Sequence, residues 1–211
     1  MVGVLSQRVR PSPETRPTRR RAQTRARLLD AAFEVFAAKG FGAATIEDVC
    51  SAAGFTRGAF YSNFGSMDEL FYALYERNAE QIGNQVTEAL ATPAGSLEEA
   101  IRRAVGALHL SREWSLVRGD FVRYAARNPA VAAEWERRQE GLREVLAARL
   151  APAAARANLP ESMRRPQDLA RAAMVMYHGT MDAVLIEWDA EQARRWLTAL
   201  LCAVLGAHPP D

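Results

Sequence analysis

Apolar residues recur at intervals of three and four along most of this chain, the period of amphipathic helices, and no stretch alternates with the period of two that marks a strand. The first stripe, Leu28, Leu29, Ala32, Phe33 and Phe36, opens near Thr18 and closes at Gly40. Two shorter elements follow. Thr45 is placed to cap a helix with Glu47 and Asp48 in its first turn, where carboxylates favour the positive helix end. Ile46, Val49 and Ala53 share one face, Cys50 offers a small side chain to a crossing helix, and Gly54 ends the element. Thr56 caps the next helix, expected from Arg57 to Phe64. Its Phe60 and Phe64 turn inward at i, i+4 spacing, leaving Thr56, Arg57, Gly58, Tyr61 and Asn63 mostly outward. Ser66, with Glu69 at capping-box spacing, starts a longer helix through Leu70, Leu74, Tyr75, Asn78 and Ile82 to about Ala91.

Pro93 and Gly95 break the pattern, and Ser96 opens a helix over about 96–112. Further helices are predicted over about 114–127, 130–149, 167–188 and 190–206. The third of these five buries Val131, Trp135, Leu142 and Leu146 and exposes Glu134, Arg137, Arg138 and Glu140. Residues 151–166, rich in Ala and Pro, read as a loop. The expected fold is therefore all-α. A disordered basic arm (1–17, with Pro11, Pro13 and Pro17) precedes a three-helix domain (18–64), and a six-helix bundle (65–207) follows. No internal repeat is visible.

Composition sharpens this picture at one point. A hydrophobic content of 49% in 211 residues supports a good core in one or two domains. The formal charge of +2 hides an asymmetry: residues 1–27 hold eight Arg against Glu14 and carry +7, while the remainder carries −5. A basic end beside two short helices points a nucleic-acid surface in one direction, although an arginine tail can also be merely solvated. Cys50 and Cys202 lie far apart in apolar patterns and read as buried small hydrophobes rather than a disulfide. The N-terminus lacks the apolar core of a signal peptide and no stretch is long enough to span a bilayer, so a soluble, cytoplasmic protein without a membrane partner is expected.

A short helix, a glycine turn and a second helix with small, cationic and hydroxylated outward residues suit insertion into a DNA major groove. The residues go further. Phe36–Phe41 read FAAKGF; Thr45, Ile46, Val49, Ala52, Ala53, Gly54 and Phe55 follow, then Tyr61, Phe64, Ser66 and Leu70. This compound pattern resembles the DNA-binding domain of the TetR family of transcriptional repressors, over roughly the first third of the folded chain. Cys50 stands where that family usually has Ala. Met67 stands where it usually has a phosphate-touching Lys, so one backbone contact is expected to be missing.

Thr56 and Arg57 are best placed for base edges, and Arg is the commonest partner of guanine O6 and N7. Gly58 and Ala59 let the helix sit close to the groove floor. Thr45 can hold a phosphate with its hydroxyl and the helix-start amides. Arg19 and Arg20, within the run to Arg27, would follow the flanking backbone or reach the minor groove. Lys39, the only lysine, reads as a helix C-terminal charge. The resemblance assigns Tyr61 and Asn63 to phosphates; a half-buried place in the core is the other reading of Tyr61. One such helix covers few bases, so a dimer on a palindromic operator is implied, with recognition helices about 34–36 Å apart.

The resemblance also pairs the last two helices with their twofold mates. Leu169, Ala172, Ala173, Met176, Gly179, Ala183 and Ile186 form one candidate stripe; Ala193, Trp196, Leu197, Leu200, Leu201 and Val204 form the other. Ordinary intramolecular core is the competing reading. Tyr75, Asn78, Leu108, His109, Trp114, Phe121, Tyr124, Trp135, Met174, Tyr177, His178 and Met181 lie on different helices of the bundle. Aromatic and Met walls with a few polar handles suit a mostly apolar small molecule, although each residue singly reads as core. In the resembling family an effector bound there shifts the helix after the recognition module, here 66–91, and weakens DNA affinity.

No phosphate loop, nucleophile motif or dense acid–histidine cluster is present, so neither an enzyme nor a cofactor is expected. His178 and Asp182 share a helical face, but two ligands do not make a metal site. The reading that follows is a homodimeric, effector-responsive repressor of transcription. The alternative is a helical small-molecule-binding protein whose DNA binding is weakened or lost, with Met67 as its one hint.

Overall fold

The computed structural model describes residues 19–207 apart from 93, 156–158, 160 and 188. The expected arm therefore lies outside the described residues, as does the proposed start of the first helix at Thr18. The described chain is all helical: α1 (Arg19–Lys39), α2 (Ile46–Ala53), α3 (Arg57–Tyr61), α4 (Met67–Ala89), α5 (Leu97–Gly106), α6 (Arg112–Ala125), α7 (Pro129–Ala154), α8 (Pro166–Val184) and α9 (Ala190–Leu205), with a 3₁₀ turn at Glu161–Met163. None of these helices is long and apolar enough to cross a membrane.

Caps set the N-terminal boundaries. The Thr45 hydroxyl accepts from the Asp48 N–H at 3.2 Å, while the Asp48 carboxylate accepts from the Thr45 N–H at 3.0 Å, a reciprocal box at the start of α2. Gly54 closes α2 at φ 70°, a left-handed conformation that a Cβ would strain. Ser66 caps α4 by accepting from Glu69 N–H at 3.1 Å, but the expected box is not reciprocal: the Glu69 carboxylate takes the Gly65 N–H at 2.7 Å instead. Lys39 does more than neutralise a helix end. Its Nζ donates to Asp48 at 2.6 Å and fastens α1 to the α2 cap.

Four expectations need correcting. α3 stops at Tyr61, three residues early, because the Ser62 hydroxyl and Asn63 amide donate back to the Gly58 and Ala59 carbonyls at 2.8 Å each and compete with the helix ladder. α5 stops at Gly106 rather than near 112; the segment after it buries Leu110 and leads to Ser111, which caps α6 at Trp114 N–H. α7 continues to Ala154, through the start of the expected loop. Pro152 is tolerated there because it and Ala148, whose carbonyl it cannot reach, are both exposed to water. α8 ends at Val184, and residues 185–187 form turns.

The core does not divide where the sequence suggested a domain boundary. Leu28, Phe36, Val49, Phe60 and Phe64 belong to the same buried cluster as Leu70, Phe71, Trp114, Phe121 and Met181. Phe41, in the turn after α1, lies 4.9 Å from both the Phe121 and Tyr124 rings of α6 and 5.7 Å from Phe71 of α4, all centroid to centroid. Gly40 beside it is at φ 78°, and a Cβ there would stand 2.8 Å from an Asp120 carboxylate oxygen of α6. The helix-turn-helix thus leans on α6 as well as on α4. A second cluster, around Ile101, Val105, Leu169, Leu197 and Leu205, joins α5, α8 and α9.

Candidate nucleic-acid interface and bundle interior

Three arginines of α1 organise the helix-turn-helix from behind. Arg21 donates to the Ser62 carbonyl at 3.1 Å and Arg25 to the Asn63 carbonyl at 3.1 Å. Arg27 donates to the Ala53 carbonyl at 2.9 Å. These are the carbonyls that a helix end leaves without an intrahelical partner, and a cation is favoured there. Arg25 and Arg27 also lie over the Phe64 and Phe55 rings, 4.3 and 4.7 Å from their centroids. The run from Arg19 to Arg27 is therefore not one DNA-facing strip: Arg21, Arg25 and Arg27 hold the fold, and Arg19 and Arg20 remain exposed at the start of α1.

On the outer face, Thr45, Thr56, Arg57, Gly58 and Tyr61 are all exposed, as expected. Tyr61 is 51% exposed, with its ring edge-on to buried Phe60 at 5.5 Å, so the side chain is anchored without being core. Arg57 donates to the Glu47 carboxylate of α2 and to the Tyr61 hydroxyl at 3.3 Å. The Tyr61 hydrogen bond, then the Glu47 charge, raise its already high pKa. Asn63 departs from expectation. It is half-buried, its amide is turned back to Ala59, and its Oδ1 is buried without a partner. Met67 packs half-buried against the core, where a lysine would instead have carried its charge to the surface.

The expected pocket residues separate into two groups. Asn78, His109 and Trp114 line a cleft of about 500 Å³ between α1, α4 and the start of α6, whose walls include Asp30, Phe33 and Glu34 of α1. Tyr75, Phe121 and Met181 are buried; Trp135, Tyr177 and His178 are half-buried beside them. Phe121 stacks on Phe71 at 3.7 Å, and Tyr75 meets Trp135 edge-on at 4.6 Å. Trp114 belongs to both groups, stacked between Phe33 and Tyr75 at 6.1 and 5.9 Å. Tyr124 packs against both Phe41, at 4.9 Å, and Phe121 of the interior group, at 6.0 Å, and Met174 is half-buried on α8.

The interior also holds one charged group that the sequence reading passed over. Arg118 of α6 is buried and pairs with Asp182 of α8 at 2.8 Å. This pairing takes Asp182 away from the metal reading, and among the described residues no group of three potential metal ligands occurs. His178 meets the Tyr75 hydroxyl at 3.4 Å; burial, aided by the Arg118 charge, lowers its pKa to about 4. Burial pushes the Tyr177 hydroxyl up to about 12 and raises Tyr75 as well. The signal for Arg118 was its phase: it sits on the buried stripe of α6 with Trp114, Val117, Phe121 and Ala125.

The candidate dimer stripes are also split. Leu169, Ala193 and Leu197 are buried within the chain, whereas Gly179, Trp196 and Leu200 are exposed and Ala173, Met176 and Ala183 are intermediate. Val175, 66% exposed, and Ile186, 92% exposed, extend the outward apolar surface of α8 and its C-terminal turn.

Residues 28–74 match the family described as bacterial regulatory proteins, tetR family. Over 130 residues the chain is 28% identical to the HTH-type transcriptional repressor AcnR of Corynebacterium efficiens, covering 61% of this chain and 64% of the relative. It is 32% identical over 120 residues to the HTH-type transcriptional activator FasR of Mycolicibacterium smegmatis, covering 54% of this chain and 52% of the relative. The chain thus spans between about half and two thirds of the length of these curated relatives. In fold it is similar to the crystal structure of a TetR-family regulator from Rhodococcus sp., with a TM-score of 0.73 and 20% identity, covering 87% of this chain and 99% of that one.

Proposed function

We propose that this chain, which carries a TetR-family DNA-binding domain over residues 28–74, is a sequence-specific regulator of transcription, a repressor that leaves its operator when a small molecule enters the bundle. The observation that carries the reading is the outer face of the helix-turn-helix, where Arg57 and Tyr61 stand exposed on a helix braced from behind by Arg21, Arg25 and Arg27. Arg57 and Thr56 read base edges, and Tyr61 holds a phosphate. Thr45, its own N–H taken by the Asp48 box, presents the following helix-start amides to a second phosphate. Arg19 and Arg20 add phosphate contacts that do not depend on sequence.

Two copies pair through α8 and α9, with Trp196, Leu200, Gly179 and the intermediate small residues Ala173 and Ala183 at the contact, and so present two recognition helices to a palindrome. Residues 18–64 then act as the reading head and 65–207 as the dimerising, effector-binding body. An effector held among α4, α6, α7 and α8 reaches the reading head by two routes: along α4, and through the Phe41–Phe121 contact to α6. The name of AcnR supports repression, although that of FasR includes activation.

Selection of DNA from a random library by the purified full chain tests the reading. Enrichment of a palindrome is the expected result. A folded protein that enriches nothing at low salt would overturn it in favour of a helical small-molecule-binding protein without DNA recognition.

A further inference from the structure

Among the described residues, the buried side-chain atoms that meet no hydrogen-bond partner include Arg118 Nε of α6, Gln139 Nε2 of α7 and Tyr177 Oη of α8. Groups left in this way are uncommon, since an unpaired buried polar atom is costly. These three lie in one neighbourhood: Arg118 pairs with Asp182 at 2.8 Å, one turn of α8 beyond His178, whose ring meets the Tyr75 hydroxyl at 3.4 Å, and the Arg118 charge acts on the ionisation of Tyr75, Tyr177 and His178. Gln139 stands one turn along α7 from Trp135, whose ring meets that of Tyr75 at 4.6 Å. Helices α4, α6, α7 and α8 therefore bring their polar side chains to one region of the interior.

The chemistry of the three atoms is one-sided. An arginine Nε and a glutamine Nε2 can only donate, and a tyrosine hydroxyl donates as well as accepts. What satisfies them together is an acceptor with several lone pairs. Formal charge points the same way. His178 is held neutral, so Arg118 is the fixed cation of the group, and its counter-ion Asp182 is 58% exposed and engages only the outer end of the guanidinium. The Tyr75 and Trp135 rings, 4.6 Å apart, supply an apolar wall. We infer that the small molecule this bundle takes is a carboxylate with an apolar body, whose anionic end is read by Arg118 together with Tyr177 and Gln139. This rests on the effector-binding reading above and narrows it from a mostly apolar compound to an organic anion.

The test uses the purified full chain and matched pairs of probes: benzoate against benzamide, and octanoate against octanamide, followed by tryptophan fluorescence and calorimetry. The acids should bind saturably and at least about tenfold more tightly than their amides. Arg118→Gln should bring acid and amide together. Tyr177→Phe, which keeps the ring, should weaken the acid several-fold and guards against an Arg118 variant that does not fold. Asp182→Asn should tighten the acid, because the guanidinium loses its competing carboxylate; a purely structural ion pair would leave the ligand unaffected. Equal binding of acid and amide, absence of acid binding by the folded protein, or indifference to all three substitutions overturns the inference. Neutral probes that bind and release selected DNA would do so while leaving the effector-responsive reading intact. Failure of DNA selection would sink that reading without touching the acid–amide comparison.

Discussion

The guanidinium of Arg57, the residue best placed to meet a base, donates to the carboxylate of Glu47 on the preceding helix. In free protein this proposed base reader is therefore held by an exposed acid, with Tyr61 as a second partner at 3.3 Å. DNA must offer Arg57 an acceptor at least as good, and guanine O6 and N7 together do. The same acid would stand close to the phosphates, where its charge opposes binding.

Glu47→Gln should therefore tighten binding to DNA in general, several-fold and more at low salt, because it removes a repulsion and loosens Arg57. Arg57→Ala should weaken the selected sequence by about tenfold or more while leaving random DNA much less affected. Titrations on both kinds of DNA check this. Equal losses on the two would show that Arg57 contacts backbone, not bases.

Arg20 and Arg25 look alike in the sequence but should behave differently. Arg20 is exposed at the start of α1, so Arg20→Ala should weaken all sequences alike and flatten the dependence of log K on log salt by roughly one unit. Arg25 holds the Asn63 carbonyl at 3.1 Å and covers Phe64, so Arg25→Ala should cost on the order of 1 kcal/mol of stability. Urea unfolding of both variants, beside DNA titration at three salt concentrations, separates them. A stable Arg25→Ala protein with a flattened salt slope would put that residue on the DNA instead.

His178 should make stability depend on pH. Burial among Tyr75, Tyr177 and Arg118 lowers its pKa from 6.5 to about 4, so the folded state resists a proton that the unfolded chain accepts. Stability should be fully present above pH 6.5 and decline as pH falls towards about 4, by up to about 3 kcal/mol in total. Asp182 opposes the shift, and Arg118 reinforces it. His178→Gln should remove this component. Urea unfolding between pH 7 and 5 for both proteins gives the answer: parallel curves would mean that His178 is not held neutral.

What was legible in the sequence follows from the range of the interactions involved. Thr45, Gly54, Thr56 and Ser66 act within four residues, so their caps could be read directly and α2 and α4 start where expected. The roles of Arg21, Arg25 and Arg27 depend on carbonyls 26 to 41 residues away, and an arginine run looks solvated until those partners are known. Asn63 was misread because its partner is its own helix: a side-chain amide near a helix end can bond backwards as easily as outwards. Arg118 was missed for a different reason. The periodicity placed it on the apolar stripe of α6, but only packing from α8 could show that a charge was buried there and paired with Asp182.

The same limit applies to the faces of α8 and α9, where periodicity identified apolar stripes but could not say which side each residue serves. Leu197 is buried within the chain while Trp196, its neighbour, is 55% exposed, and Leu200 one turn later is 39% exposed. Exposed side chains of this size, continued by Val175 and Ile186, favour burial against a second copy over contact with water. Trp196→Glu should then convert a dimer into a folded monomer, because a carboxylate brought against its own twofold mate stays uncompensated. DNA binding should fall with it, since one recognition helix spans too few bases. Light scattering and helical circular dichroism on the variant measure the two quantities separately. A variant that remains dimeric and binds the selected palindrome as tightly as before would move the interface away from Trp196.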